Sequence, residues 1–159
     1  MPVFLRSRMR SLCPRLPAVK SLVQRILTES GQPRAIVSID FIGDGRMRQL
    51  NHRYRGRDTT TDVLAFAMRD AVGPHSDLLG DVVISIPTAA KQAVEHGHTV
   101  AYELAVLLIH GILHLLGYDH ERNAREARRM QHEERKILRA VLPIPPIIDS
   151  FSIHSRRRR

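Results

Sequence analysis

A chain of 159 residues, 43% of them apolar, is long enough to bury one hydrophobic core and contains no run of 18 apolar residues such as a membrane-crossing helix needs. Its one cysteine, Cys13, excludes an internal disulfide and fits a reducing cytoplasm. The formal net charge of +9 sits mainly at the two ends: residues 18–148 carry 17 basic and 15 acidic side chains, so the body of the chain is nearly balanced.

Residues 1–17, with Arg6, Arg8, Arg10 and Arg15 and no acid, read as a basic, flexible leader. Residues 1–28 hold no acid and several Arg and Ser, which also suits an organelle transit peptide, the alternative to a cytoplasmic protein. Past Pro14 and Pro17, Val19, Leu22, Val23, Ile26 and Leu27 recur at helical spacing and predict an amphipathic helix ending near Gly31. The alternation over residues 35–42 predicts a strand, followed by Asp44-Gly45 and a short helix carrying Met47 and Leu50. Residues 63–68 and 78–86 are further strands, with Gly73-Pro74 punctuating the loop between them. Helices follow over 88–95 and 100–116, the second so apolar from Leu104 to Ile109 that burial on most sides is expected. Asn123 as N-cap with Glu126 three residues on starts a last helix, which runs to about Leu142. Its stripe of Ala127, Met130, Ile137 and Val141 packs inward, and Arg125, Arg128 and Arg129 read as a solvated face. Pro143, Pro145 and Pro146 end the helix, and residues 143–159, closing on Arg156 to Arg159, read as a flexible tail. The whole predicts an α+β (mixed α/β) fold: a small sheet of about four strands packed with about five helices, one catalytic domain over residues 18–142.

Three histidines dominate the chemistry. His110 and His114 stand one turn apart on one face of the apolar helix, a rigid mount for metal ligands. Gly117 can end that helix in the left-handed conformation and let Tyr118-Asp119 return His120 toward the first two. Three neutral imidazoles then face one ion, and zinc with three protein ligands keeps a position for water or substrate. This spacing is shared with the H-E-x-x-H-x-x-G-x-x-H metalloproteases, whose Glu is the general base. Here that place is Gly111, which moves no proton, so a peptidase of that type is disfavoured.

The stretch from His110 to His120 fills every fixed position of H-G-x-L-H-L-x-G-Y-D-H and so resembles the YbeY family of bacterial metal-dependent endoribonucleases. Upstream, residues 50–66 resemble the family's L-N-x-x-Y-R-x-x-D-x-P-T-D-V-L-S-F-P block, departing at Thr60 (for Pro), Ala65 (for Ser) and Ala67 (for Pro). Leu79-Gly80-Asp81 and Gly97-His98-Thr99 extend the likeness over roughly residues 18 to 142. The resemblance implies a single-strand-preferring, zinc-dependent endoribonuclease with one ion, acting in ribosomal RNA maturation, including the 16S 3′ end, and in ribosome quality control, with the small ribosomal subunit as partner. It also implies a catalytic or RNA-positioning role for Arg55, which stands at the Arg of Y-R-x-x-D.

Read from the residues alone, Arg55 either meets a phosphate or pairs with Asp58 or Asp62 to pin its loop. Asp119 and Glu103 are the candidates for a carboxylate behind the ligands, although Glu103 also suits core capping. His52, His75, His96, His98, His132 and His154 lack ligand spacing and are expected on surfaces and loops. Two other functions use the same features: a metal-dependent peptidase or amidase, and a non-catalytic ribosome-assembly factor stapled by zinc. No membrane partner is expected.

Overall fold

The computed structural model describes residues 3–10, 12–68 and 76–149; the Gly73-Pro74 turn, His75, His154 and the Arg156 to Arg159 run lie outside them. Along the described chain come β1 (Val3–Ser7), α1 (Leu16–Glu29), β2 (Ile36–Ile42), α2 (Asp44–Arg55), β3 (Val63–Ala67), β4 (Leu78–Ser85), α3 (Ile86–His96), α4 (Val100–Leu115) and α5 (Ala124–Val141). The strands form one sheet in the order β1-β2-β4-β3, parallel except for β3, which runs antiparallel to β4. This is the mixed fold expected from the sequence.

The two-residue period of β2 buries Val37, Ile39 and Phe41 completely on one face and turns Ser38 and Asp40 to the other. Against the buried face α1 lays Val19, Leu22, Val23, Ile26 and Leu27. Each such side chain stabilises the fold by about 1.5–3 kcal/mol at most, so Leu22→Ala is the kind of change that would loosen this layer. Met47 of α2 packs on the opposite face with Ile42, Leu64 and Val83.

α4 is the central helix. From Glu103 to Leu115 every residue except Val106, His110 and His114 is buried. Its backbone comes close to the sheet at Gly111, where an added Cβ would lie 2.7 Å from Val82 Cγ1 and 3.3 Å from Val63 Cγ2. A glutamate at this position would meet the sheet, which is a second reason, besides chemistry, that a protease-type base is absent.

Three expectations are corrected. Residues 3–7 of the supposed leader form the edge strand β1: Val3 is buried, and Arg6 points outward to pair with Asp40 at 3.0 Å. A charged side chain on an edge strand discourages pairing with other chains, and Arg6 followed by Arg8 and Arg10 just past the strand looks like a basic tail when read by composition. Residues 143–149 of the supposed tail are also packed. Ile147 is fully buried, its carbonyl accepts from Arg15 N–H at 2.8 Å, and Asp149 N–H donates to Cys13 O at 3.0 Å, joining the two ends. Finally, α3 begins at Ile86, before the expected 88, because Ser85 caps it by accepting from Thr88 N–H at 3.4 Å and Pro87 occupies its first turn.

Candidate metal centre

The last turns of α4 present His110 and His114 side by side, with their Nε2 atoms 3.1 Å apart. Gly117, at φ +97°, then closes the helix in a Schellman arrangement: its N–H donates to His114 O at 3.0 Å, and Tyr118 N–H donates to Leu113 O at 3.1 Å. Asp119 makes the next turn by accepting from Glu121 N–H at 3.0 Å. Tyr118 is held under the Arg129 guanidinium, 4.7 Å from its ring centroid, which ties the loop to α5. The result brings the His120 ring to 5.1 Å from both other rings, with one nitrogen of each imidazole within 4.8 Å of the others. Two of these ligands are fixed by a helix and the third by a capped turn.

The electrostatics suit a cation. Burial, reinforced by His110 and His120, holds the His114 pKa below the usual imidazole value against a smaller opposing pull from Asp119. A neutral ring is the form that ligates metal. His110 Nδ1 lies 2.9 Å from Glu134 Oε1, a carboxylate on α5 that fixes the tautomer and leaves Nε2 facing the other two rings. This donor set fits a transition metal such as zinc.

A cleft of about 560 Å³ opens over the triad and is also lined by Arg55, Arg57, Asp62 and Asp119. Arg55 is the last residue of α2, where Gly56 at φ +68° turns the chain. Asp58 and Asp62, the acids near it along the chain, are engaged elsewhere. Asp58 takes Arg48 through two hydrogen bonds of 2.9 and 3.2 Å, while Asp62 accepts from Val63 N–H at 2.7 Å and from Gln92 Nε2 at 3.2 Å. Among the described residues no carboxylate lies within ion-pair distance of Arg55. Thr60, at the place of the family's proline, is anchored by donating to Asp44 at 3.2 Å.

Of the expected residues, the structure brings His110, His114, His120, Asp119 and Arg55 to one cleft and leaves Glu103 out. Glu103 is buried at the other end of α4, 3.2 Å from His96 Nδ1, so its proposed place behind the triad is corrected. Two helical turns put it on the same face as His110 but about 10 Å away, too far to touch a ligand. Glu134 was missed in the sequence. Its signal was the interval: it falls between Met130 and Ile137 on the inward stripe of α5, where an acid has no reason to be unless something polar faces it.

Residues 13–142 match the family model described as Endoribonuclease YbeY. Endoribonuclease YbeY of Syntrophotalea carbinolica is 40% identical over 142 residues, 87% of this chain and 95% of that protein. The protein of the same description from Sulfurihydrogenibium sp. is 44% identical over 119 residues, 75% of this chain and 78% of its own length. The solution structure of TM1509 from Thermotoga maritima aligns with a TM-score of 0.62 at 24% identity, covering 87% of this chain and 88% of that one, a likeness of fold.

Proposed function

This chain belongs to the YbeY family of endoribonucleases, hydrolases acting on RNA, and on that premise we propose that it cleaves single-stranded RNA with one zinc ion held by His110, His114 and His120. The observation that carries this reading is the shared cleft: Arg55, which has no acidic partner among the described residues, lines it together with three converging imidazoles. Held by these three histidines, a zinc ion would supply Lewis acidity for phosphodiester hydrolysis. Arg55 contributes what a phosphodiester needs in addition, a planar fork of donors that binds two phosphate oxygens and stabilises charge as it develops on them. Arg57, beside it in the cleft, adds attraction for the backbone. Glu134 keeps the His110 ring oriented, and Asp119 keeps the turn that delivers His120.

Single strands suit this cleft because their phosphates can be drawn between Arg55 and the triad without the stiffness of a duplex. The substrate we assign is ribosomal RNA of the small subunit, including the 16S 3′ end, in maturation and quality control at the ribosome in the cytoplasm; family membership and the lone Cys13 support this reading. The test is cleavage of matched single-stranded and duplex oligoribonucleotides by zinc-loaded and chelator-stripped protein. Zinc-dependent cutting of the single strand is expected. Equal rates on both substrates, or full activity after stripping, would overturn it.

A further inference from the structure

At the end of α4 remote from the cleft, His96, His98 and Glu103 converge, and we propose that they form a second site for a divalent transition-metal ion, one that clips the corner between α3 and α4. One ligand atom from each lies within 4.8 Å of the other two, as is also true of the His110 triad. Two imidazoles and a carboxylate are a zinc donor set, and imidazole also suits nickel and copper.

The corner is built to hold these groups. His96 is the last residue of α3, Gly97 turns the chain at φ +69°, and Thr99 caps α4 by accepting from Tyr102 N–H at 3.1 Å. The chain bends by 113° between the two helices, and with His96 on one and Glu103 on the other a single ion would bridge both. The His98 ring is positioned by packing, 4.4 Å from the Tyr102 ring and 5.9 Å from that of His96. Glu103 is the informative member. It is 3% exposed, and its Oε2 lies 3.2 Å from His96 Nδ1 at the base of two solvent-facing imidazoles. A carboxylate placed there is costly unless a cation or a protonated partner answers it, and these histidines are the donors through which an ion would do so.

The site is separate from the catalytic one. Glu103 is seven positions from His110, the nearer triad ligand on α4, about 10 Å along the axis at 1.5 Å per residue. The positive end of the α4 dipole opposes a cation here, so this site binds more weakly than the triad and its ion stiffens the corner without touching substrate.

The probe is Zn²⁺ itself, titrated into the intact metal-free protein with stoichiometry read by equilibrium dialysis and elemental analysis. Wild type is expected to take up two equivalents, the weaker of which raises the melting temperature. His98→Ala alters an exposed side chain, and Glu103→Gln preserves shape while removing the charge. Each is expected to lose the weaker equivalent and keep the tighter one, while His114→Ala loses the tighter and keeps the weaker. RNA cleavage by zinc-loaded His98→Ala should equal that of wild type. Saturation of wild type at one equivalent overturns the proposal, as does a second equivalent that survives both His98→Ala and Glu103→Gln.

Discussion

Glu134 Oε1 lies 2.9 Å from Nδ1 of His110, joining α5 to α4 behind the ring that faces the cleft. The contact sets which nitrogen of His110 carries the proton and so which one is free to bind. Partners of this kind typically affect metal affinity by about 10–100-fold. Glu134→Ala should therefore weaken Zn²⁺ binding to the triad by about that factor in a competition titration against a chelator. Glu134→Gln, which still accepts a hydrogen bond, should recover part of it. Unchanged affinity in both would make the contact incidental.

Arg55→Ala should keep zinc and lose turnover. With Asp58 given to Arg48 and Asp62 to Gln92 and the backbone, removing Arg55 breaks no ion pair among the described residues, so the fold should remain intact. Loss of one donor to a charged transition state costs about 10²–10³-fold in rate. The check is single-turnover cleavage alongside metal content and circular dichroism. Full activity in the variant would return Arg55 to a structural role.

Gly111→Ala tests the close approach of α4 to the sheet. A methyl group at 2.7 Å from Val82 Cγ1 must displace a fully buried neighbour. Overpacking of this kind costs about 1–3 kcal/mol. For a domain of this size that lowers the melting temperature by roughly 3–10 °C. A thermal melt in which the variant matches wild type would show that the interface yields.

Asp44 gives a pH-dependent prediction. Burial opposes its charge, but hydrogen bonds from Ser85, Thr88 and Thr60 together outweigh that and hold its pKa below the usual carboxylate value. A depressed folded-state pKa means stability that is present above the unfolded value and lost as the pH falls through the folded one. Asp44→Ala also leaves the fully buried Ser85 hydroxyl without its acceptor. We expect a loss of about 1–3 kcal/mol near neutral pH, discounted for the partly exposed site, and a difference that narrows as acid protonates Asp44 in wild type. Urea unfolding of both proteins at neutral and acidic pH reads this directly; a gap that stays constant with pH would contradict it.

The residues that were legible in the sequence are those whose partners are local. His110 and His114 are one helical turn apart, Gly117 closes the same helix, and Asn123 caps α5 by accepting from Glu126 N–H at 2.8 Å, so spacing alone could place them. What was illegible depended on contacts distant along the chain. Arg6 meets Asp40, Ile147 packs beside Arg15, and Glu134 reaches back to His110, and no local period records such pairings. Glu103 failed for the opposite reason. Helical phase put it on the face of His110, but distance along the axis and the α3 corner gave it to His96. Arg55 lay between these cases: the sequence supplied two acids as alternatives, and only the fold shows both engaged elsewhere.

The central claim is that the triad's metal is what cuts RNA, and it is tested most directly by assaying wild type and His114→Ala side by side on single-stranded and duplex RNA, with bound zinc measured in the same samples. The variant should lose the tightly bound equivalent of zinc and its single-strand cleavage together, with wild type preferring the single strand. A folded His114→Ala protein that lacks this zinc yet cuts single-stranded RNA at the wild-type rate would contradict the account.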